Sequence, residues 1–407
     1  VNRRDLLQAA AAAAPLVFAG SAFAAPAAAS TRLLVVFLRG AYDAANIVAP
    51  TASAFYHQSR PVIGLVAPDP ANTKAALRLD ADWSLHPALG ESLYPLWAKR
   101  QLAFVPFAGT DDMSRSHFET QDTLELGQPV GGSRNYGSGF MARLAGMLGK
   151  DTPGRGTPIA FTDQLPLVFR GGAPIPNFAL NNIGKPAVDP RQAELIAAMY
   201  QGAHAGSTDL HQAVTEGFAV RDTVYQSIAG EMLAANRGAV SPKGFELAAR
   251  RIGKLMRTQF NLAFVDVGGW DTHVNQGGAD GYLAGRIGEL GRGLVGFADE
   301  IGADAWRDTV VVVVSEFGRT FKENGDHGTD HGHGSVYWVL GGGVAGGRMA
   351  GPQVALSPAT LNQGRDLPVL TDYRGMIGGV VRKLYSLSPA QLATVFPGAN
   401  AAELRLV

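Results

Sequence analysis

Apolar residues gather in short unbroken runs along this chain, and polar residues do not alternate through them. Leu33–Leu38 reads LLVVFL, Leu102–Phe107 reads LAFVPF, Leu262–Val267 reads LAFVDV and Val310–Val314 is all valine. Runs of this length, rich in β-branched and aromatic side chains, predict strands buried on both faces, as in a parallel sheet covered by helices. A fifth run, Tyr337–Leu340, is expected to pair beside them.

Helical periodicity fills the intervals. Leu283, Ile287, Leu290, Leu294, Phe297 and Ile301 share one face of a helix predicted from Tyr282 to Trp306. Ser241-Pro242 supplies a cap residue and a first-turn proline for a helix running through Met256. Asp189 to Asn236 reads as mostly helical, and Tyr373 to Leu384 as a C-terminal helix. Strands separated by helices predict an α/β fold: a doubly wound, mostly parallel central sheet with helices on both faces. Thr152–Pro158 and Gly171–Pro176 are rich in Pro and Gly and read as loops. Residues 150–258 form a mostly helical elaboration of a single domain spanning 31–407.

Composition narrows the chemistry. The 407 residues carry no net formal charge, which removes the usual electrostatic case for a nucleic-acid partner. There is no cysteine, so disulfides, thiolate nucleophiles and cysteine-type zinc sites are excluded. Arg3-Arg4 precedes an alanine-rich apolar stretch that ends in small residues before Pro26. That order predicts a signal peptide of the twin-arginine type over residues 1–30, cleaved near Ala24 or Ala25. The expectation is a periplasmic or secreted bacterial protein that meets the twin-arginine export machinery and has no stable membrane span in its mature chain.

In an open parallel sheet, ligands bind beyond the carboxyl ends of the strands. Four runs deliver polar groups there. Arg39, Asp43 and Asn46 follow the first; Asp111, Asp112, Ser114, Arg115, Ser116 and His117 follow the second. Asp271 and His273 follow the third, and Ser315, Glu316 and Arg319 the fourth, with His331 and His333 a little further on. Five of the nine histidines sit in these loops. Asp271/His273 and His331/His333 are each two residues apart, a spacing that puts both side chains on one side of an extended segment. Carboxylate plus imidazole favours zinc, with manganese or iron as alternatives, and suits one or two ions.

Each residue also has a plainer reading. Asp43 is a natural turn residue, and Glu316 a natural acid at a helix N-terminus. Ser116-His117-Phe118-Glu119 fits a helix capping box, yet a hydroxyl at a helix N-terminus is equally placed as a nucleophile, with Ser114 as a substitute. Arg39, Arg115, Arg319 and His117 are candidates for holding a substrate anion, although a structural ion pair is the commoner role for an arginine.

The stretches FLRGAYDAANIVAP, SRSHFETQD, VDVGGWDTHVNQG, VVVVVSEFGRT and GTDHGHGSVYW resemble, in combination, a twin-arginine-exported bacterial family called domain of unknown function 1501. The resemblance runs from about Thr31 to Tyr385. That family looks related to the alkaline-phosphatase superfamily, which includes sulfatases and cofactor-independent phosphoglycerate mutases. The resemblance implies two metals bridging a nucleophile, with Asp43, Asp271, His273, Glu316, and His331 or His333 as ligands and Ser116 as nucleophile. Two departures stand out. Glu316-Phe317 replaces the usual Asp-His, and the sulfatase Cys/Ser-x-Pro-x-Arg signature is missing, which argues against a formylglycine-type sulfatase.

The expected activity is metal-dependent hydrolysis of a small-molecule or polymer-linked phosphate or sulfate ester, by a Ser or a water nucleophile. The alternatives are a non-catalytic envelope binding or assembly protein that retains the fold, and a metal-dependent mutase or phosphotransferase.

Overall fold

In the computed structural model, residues 31–151, 156–171, 175–180, 188–205, 208–236 and 244–407 are described. The expected signal peptide and the Ser241-Pro242 helix start fall outside them.

The central sheet contains Arg32–Leu38 (β1), Leu102–Gly109 (β2), Pro158–Phe161 (β3), Leu262–Val267 (β4), Thr309–Ser315 (β5), Ser335–Leu340 (β6), Arg348–Met349 (β7) and Thr371–Asp372 (β8). Their order is β7-β2-β6-β5-β1-β4-β3, with β8 also on β2. β1 pairs in parallel with β5 and β4, and β4 with β3. β6 alone runs against its neighbours, antiparallel to both β5 and β2. The fold is therefore α/β with a mixed, mostly parallel sheet. The fifth apolar run is longer than Tyr337–Leu340, beginning at Ser335, and it enters the sheet upside down. This reversal brings the start of β6 to the same edge as the ends of β1, β2, β4 and β5.

The unbroken apolar runs now have their cause. Leu34, Val36 and Leu38 face a core that includes Ile252, Leu255, Leu290, Leu294 and Phe297. Leu33, Val35 and Phe37 face an opposite core with Leu144, Leu148, Ile377, Val380 and Val381. Each fully buried Val, Leu or Phe contributes about 1.5–3 kcal/mol through removal from water, and the one acid in these runs, Asp266, lies near a strand end where Arg39 pairs with it. The first core is closed by helices Gly244–Thr258 and Tyr282–Ile301, the second by Phe140–Asp151, Tyr373–Tyr385 and Pro389–Val395.

Two boundaries differ from expectation. The helix starting at Tyr282 stops at Ile301 because Gly302 takes φ +83°, and a short helix, Ala303–Arg307, resumes beyond it. Within the mostly helical stretch of residues 150–258, Pro158–Phe161 is a strand at the edge of the main sheet. Helices Pro190–Met199, Leu210–Asn236 and Gly244–Thr258 follow it, with a short antiparallel pair, His204–Ala205 and Thr208–Asp209, between the first two. Among the described residues no helix is long and apolar enough to cross a membrane.

Candidate functional site

The loops at the carboxyl edge converge through backbone contacts that only glycine permits. Gly40, just past β1, has φ +114°, and a Cβ there would lie 2.8 Å from the backbone nitrogen of Asp271. The loop after β4 thus packs directly on the end of β1. Gly332 is equally constrained, since a Cβ would lie 2.4 Å from the Arg319 backbone. Arg319 and His331 form an antiparallel bridge there, which ties the loop after β5 to the approach to β6.

Helix His117–Leu126 (α1) brings in the second-strand loop. Ser116 caps it, its hydroxyl accepting from the Glu119 amide at 3.5 Å. Only this half of the predicted capping box forms. Arg115 stands at φ +52°, a strained conformation for a residue with a side chain. Its guanidinium pairs with Asp366 at 2.6 Å and donates to Gln363, while its carbonyl points toward the site.

Three side chains meet there: His117, Asp271 and His331, each offering one donor atom within 4.8 Å of the other two. Nε2 of His117 and Nε2 of His331 are 3.0 Å apart. The Asp271 carboxylate lies 3.5 Å from the second and 3.6 Å from the first. Ligands about 2.0–2.1 Å from a tetrahedral ion are separated by about 3.3 Å, so these spacings match one coordination sphere.

The outer ring nitrogens are already committed. Nδ1 of His117 donates to Glu316 Oε1 at 2.8 Å, and Nδ1 of His331 donates to the Arg115 carbonyl at 3.0 Å. When both rings are neutral, each turns an Nε2 lone pair inward, the orientation that supporting groups impose on metal-binding histidines. Phe317 packs against both rings, with centroids 4.9 and 5.2 Å away.

The electrostatics follow from these partners. The hydrogen bond to Glu316 raises the His117 pKa above its ordinary value, against the opposing effect of burial. Burial lowers the His331 pKa and favours its neutral ring. Burial would raise the Asp271 pKa, but Arg319, His273 and His117 outweigh it and hold the carboxyl below its ordinary range.

The other expected ligands occupy different places. Glu316 is fully buried and is not free to coordinate; Oε1 accepts from His117, Gln121 and the Gly40 amide, and Oε2 from the Ser315 hydroxyl. It orients His117. Asp43 is not among the three converging donors. It is 1% exposed and bound by both Arg60 Nη atoms, at 2.5 and 2.9 Å, and by Gln276 Nε2 at 2.6 Å. His333 is buried away from the cluster, where Arg115, Asp112 and Asp111 provide its electrostatic surroundings. The two-residue spacing of His331 and His333 does not bring both to the cluster: His331 is among the converging donors and His333, where the chain bends, is not. His273 sits at the rim, Nε2 2.9 Å from Asp271 and Nδ1 3.3 Å from Asp330.

Among the candidate anion-binding groups, Arg39 is held by Glu125 and Asp266, both at 2.7 Å. Arg115 is held by Asp366. His117 belongs to the cluster itself. Arg319 is beneath it, with its side chain 0% exposed and Nη2 2.8 Å from Asp271 Oδ1. The sequence reading gave no role to Arg60, Gln121, Gln276 or Asp330. Gln121, Gln276 and Asp330 lie within the quoted family stretches and Arg60 lies outside them, but none showed a role because each acts on a partner that only the folded chain brings near.

A family model described as "Protein of unknown function (DUF1501)" matches residues 30–392. No curated protein matches the chain. Among solved structures, one titled "Crystal structure of Ps i-CgsB in complex with k-i-k-neocarrahexaose" aligns over 89% of this chain and 73% of its own, at 10% identity and TM-score 0.36. A likeness of that size carries no argument.

Proposed function

The chain belongs to this family of unknown function, and from that premise we propose that it is an exported, metal-dependent hydrolase of phosphate or sulfate esters. The proposal includes descent from the alkaline-phosphatase and sulfatase superfamily. Its export element rests on the Arg3-Arg4 stretch alone.

One observation carries the metal reading. Two imidazole Nε2 atoms face each other at 3.0 Å beside a carboxylate, while both Nδ1 atoms donate to fixed acceptors. Two lone pairs at that distance repel, so a proton on one ring or a metal ion has to lie between them, and the Asp271 carboxylate within reach of both rings supports the ion. Two nitrogens and a carboxylate oxygen suit zinc, with manganese or iron as alternatives, and leave a coordination position open for substrate or water. Such an ion supplies Lewis-acid polarisation of an ester oxygen and lowers the pKa of a water.

The remaining roles belong to the chain. Glu316 and the Arg115 carbonyl hold the two rings in register. His273, between Asp271 and Asp330, can exchange a proton with a group arriving beside Asp271. Arg319 places a fixed positive charge under the carboxylate. The Ser116 hydroxyl is engaged as the cap of α1, and among the described residues no base is bonded to it, which favours water as the nucleophile.

The test is metal analysis of the purified chain with assay on aryl phosphates and aryl sulfates. Metal-dependent hydrolysis supports the reading. Bound metal without turnover on a broad ester panel would favour the non-catalytic alternative, and transfer to an added alcohol in place of water would favour a phosphotransferase.

A further inference from the structure

The same loops also restrict how many ions the site can hold. We infer, building on the metal-site reading above, that the site takes one divalent cation and that the Arg319 and Arg60 guanidinium groups hold the positive charge a second ion would otherwise bring.

The argument is an account of the carboxylate oxygens. Asp43 is closed on both oxygens, Oδ1 by Arg60 Nη2 at 2.9 Å and Oδ2 by Arg60 Nη1 at 2.5 Å and Gln276 at 2.6 Å. Gln276 is itself locked, its Oε1 accepting from Thr272 and Thr329. Glu316 Oε1 is closed by His117, Gln121 and the Gly40 amide, and Oε2 shares the Ser315 hydroxyl proton with the Leu38 carbonyl. Asp271 Oδ1 lies 2.8 Å from Arg319 and 2.9 Å from His273. Asp330 meets only His273 and Asn324, too few ligands for an ion of its own. Among the described residues no second group of three such donors converges.

Arg319 fits the part of a fixed cation. Its side chain is sealed from solvent, Nη2 lies 2.8 Å from Asp271 Oδ1, and Nε and Nη1 have no hydrogen-bond acceptor among the described residues. Burying an unpaired charge is costly, and the Asp271 carboxylate is what offsets that cost for Arg319. Asp43 and Asp330 add attraction from further off. The positive charge of Arg319 opposes a divalent ion on the same carboxylate, and it does so more strongly in a poorly solvated site than in water.

The experiment is equilibrium dialysis of the full chain against zinc, and separately manganese, followed by elemental analysis. The expected result is one ion per chain at saturation. Two ions per chain would overturn this inference and leave the metal reading standing; none would overturn both. Arg319→Met should bind zinc at least about tenfold more tightly, and Arg319→Lys within about threefold of the parent. Weaker or unchanged binding in Arg319→Met, with the fold intact by circular dichroism, would overturn the role given to its charge.

Discussion

Nε2 of His117 lies 3.0 Å from Nε2 of His331, although 214 residues separate them in the chain. The pair joins the N-terminus of α1 to the approach to β6, and it exists because β6 runs against the rest of the sheet. Were β6 parallel to its neighbours, its leading loop would arrive at the opposite edge.

His117→Ala and His331→Ala should each reduce zinc affinity by at least about a hundredfold, since each removes one of three ligands. Both side chains are partly exposed, so the far-ultraviolet circular dichroism should stay that of the parent. Titration calorimetry checks the affinity. Parent-like binding in either variant contradicts the ligand assignment.

Glu316→Gln and Asp43→Asn should separate two acids that the sequence presents as equals. Glu316 orients His117, and loss of such a supporting group costs about 10- to 100-fold in metal affinity. Asp43 neutralises a buried Arg60, and breaking a buried pair costs about 3–5 kcal/mol of stability. Asp43→Asn should therefore appear in urea unfolding, and its folded fraction should bind zinc normally. A large loss of affinity at unchanged stability would return Asp43 to the ligand set.

Ser116→Ala should lower stability by about 1 kcal/mol through loss of the α1 cap. Ester hydrolysis should remain within about threefold of the parent. A loss of a hundredfold or more, or a covalent intermediate trapped on Ser116, would make it the nucleophile.

Asp112 anchors the loop that presents Arg115 and His117, accepting from the Ser114 amide and the Thr123 hydroxyl, both at 2.9 Å. Burial acts to raise its pKa, but those bonds and Arg134 outweigh it and leave the folded value below the ordinary 3.8. A depressed carboxyl stabilises the fold above its unfolded value, and that stabilisation is lost as pH falls through the folded value. Asp112→Asn should therefore cost about 1–2 kcal/mol at neutral pH. The difference should shrink progressively below about pH 4. A difference that grows on acidification would reverse the sign and refute the assignment.

The scaffold was readable because its signals are local. Six successive buried residues in Leu33–Leu38 announce a two-faced strand without reference to any partner, and the strand ends locate the site edge. The direction of β6 was not readable, because VYWVL has the same burial in either orientation and only its Trp338–Phe104 and Trp338–Val313 registers decide. His117 was visible as a strand-end histidine, but its role was not, since that depends on Glu316 lying 199 residues away. Asp43 misled for the converse reason: the arginine that neutralises it, Arg60, belongs to no motif. Charge partners distant in sequence decide which acids remain free, and spacing cannot reveal them.

The most direct measurement is anomalous scattering at the zinc edge from crystals of the full chain grown with zinc. The account predicts one strong peak, about 2.0–2.2 Å from Nε2 of His117, Nε2 of His331 and one oxygen of Asp271. A peak coordinated instead by Asp43, Glu316 or His333, or no peak at this edge of the sheet, would contradict it.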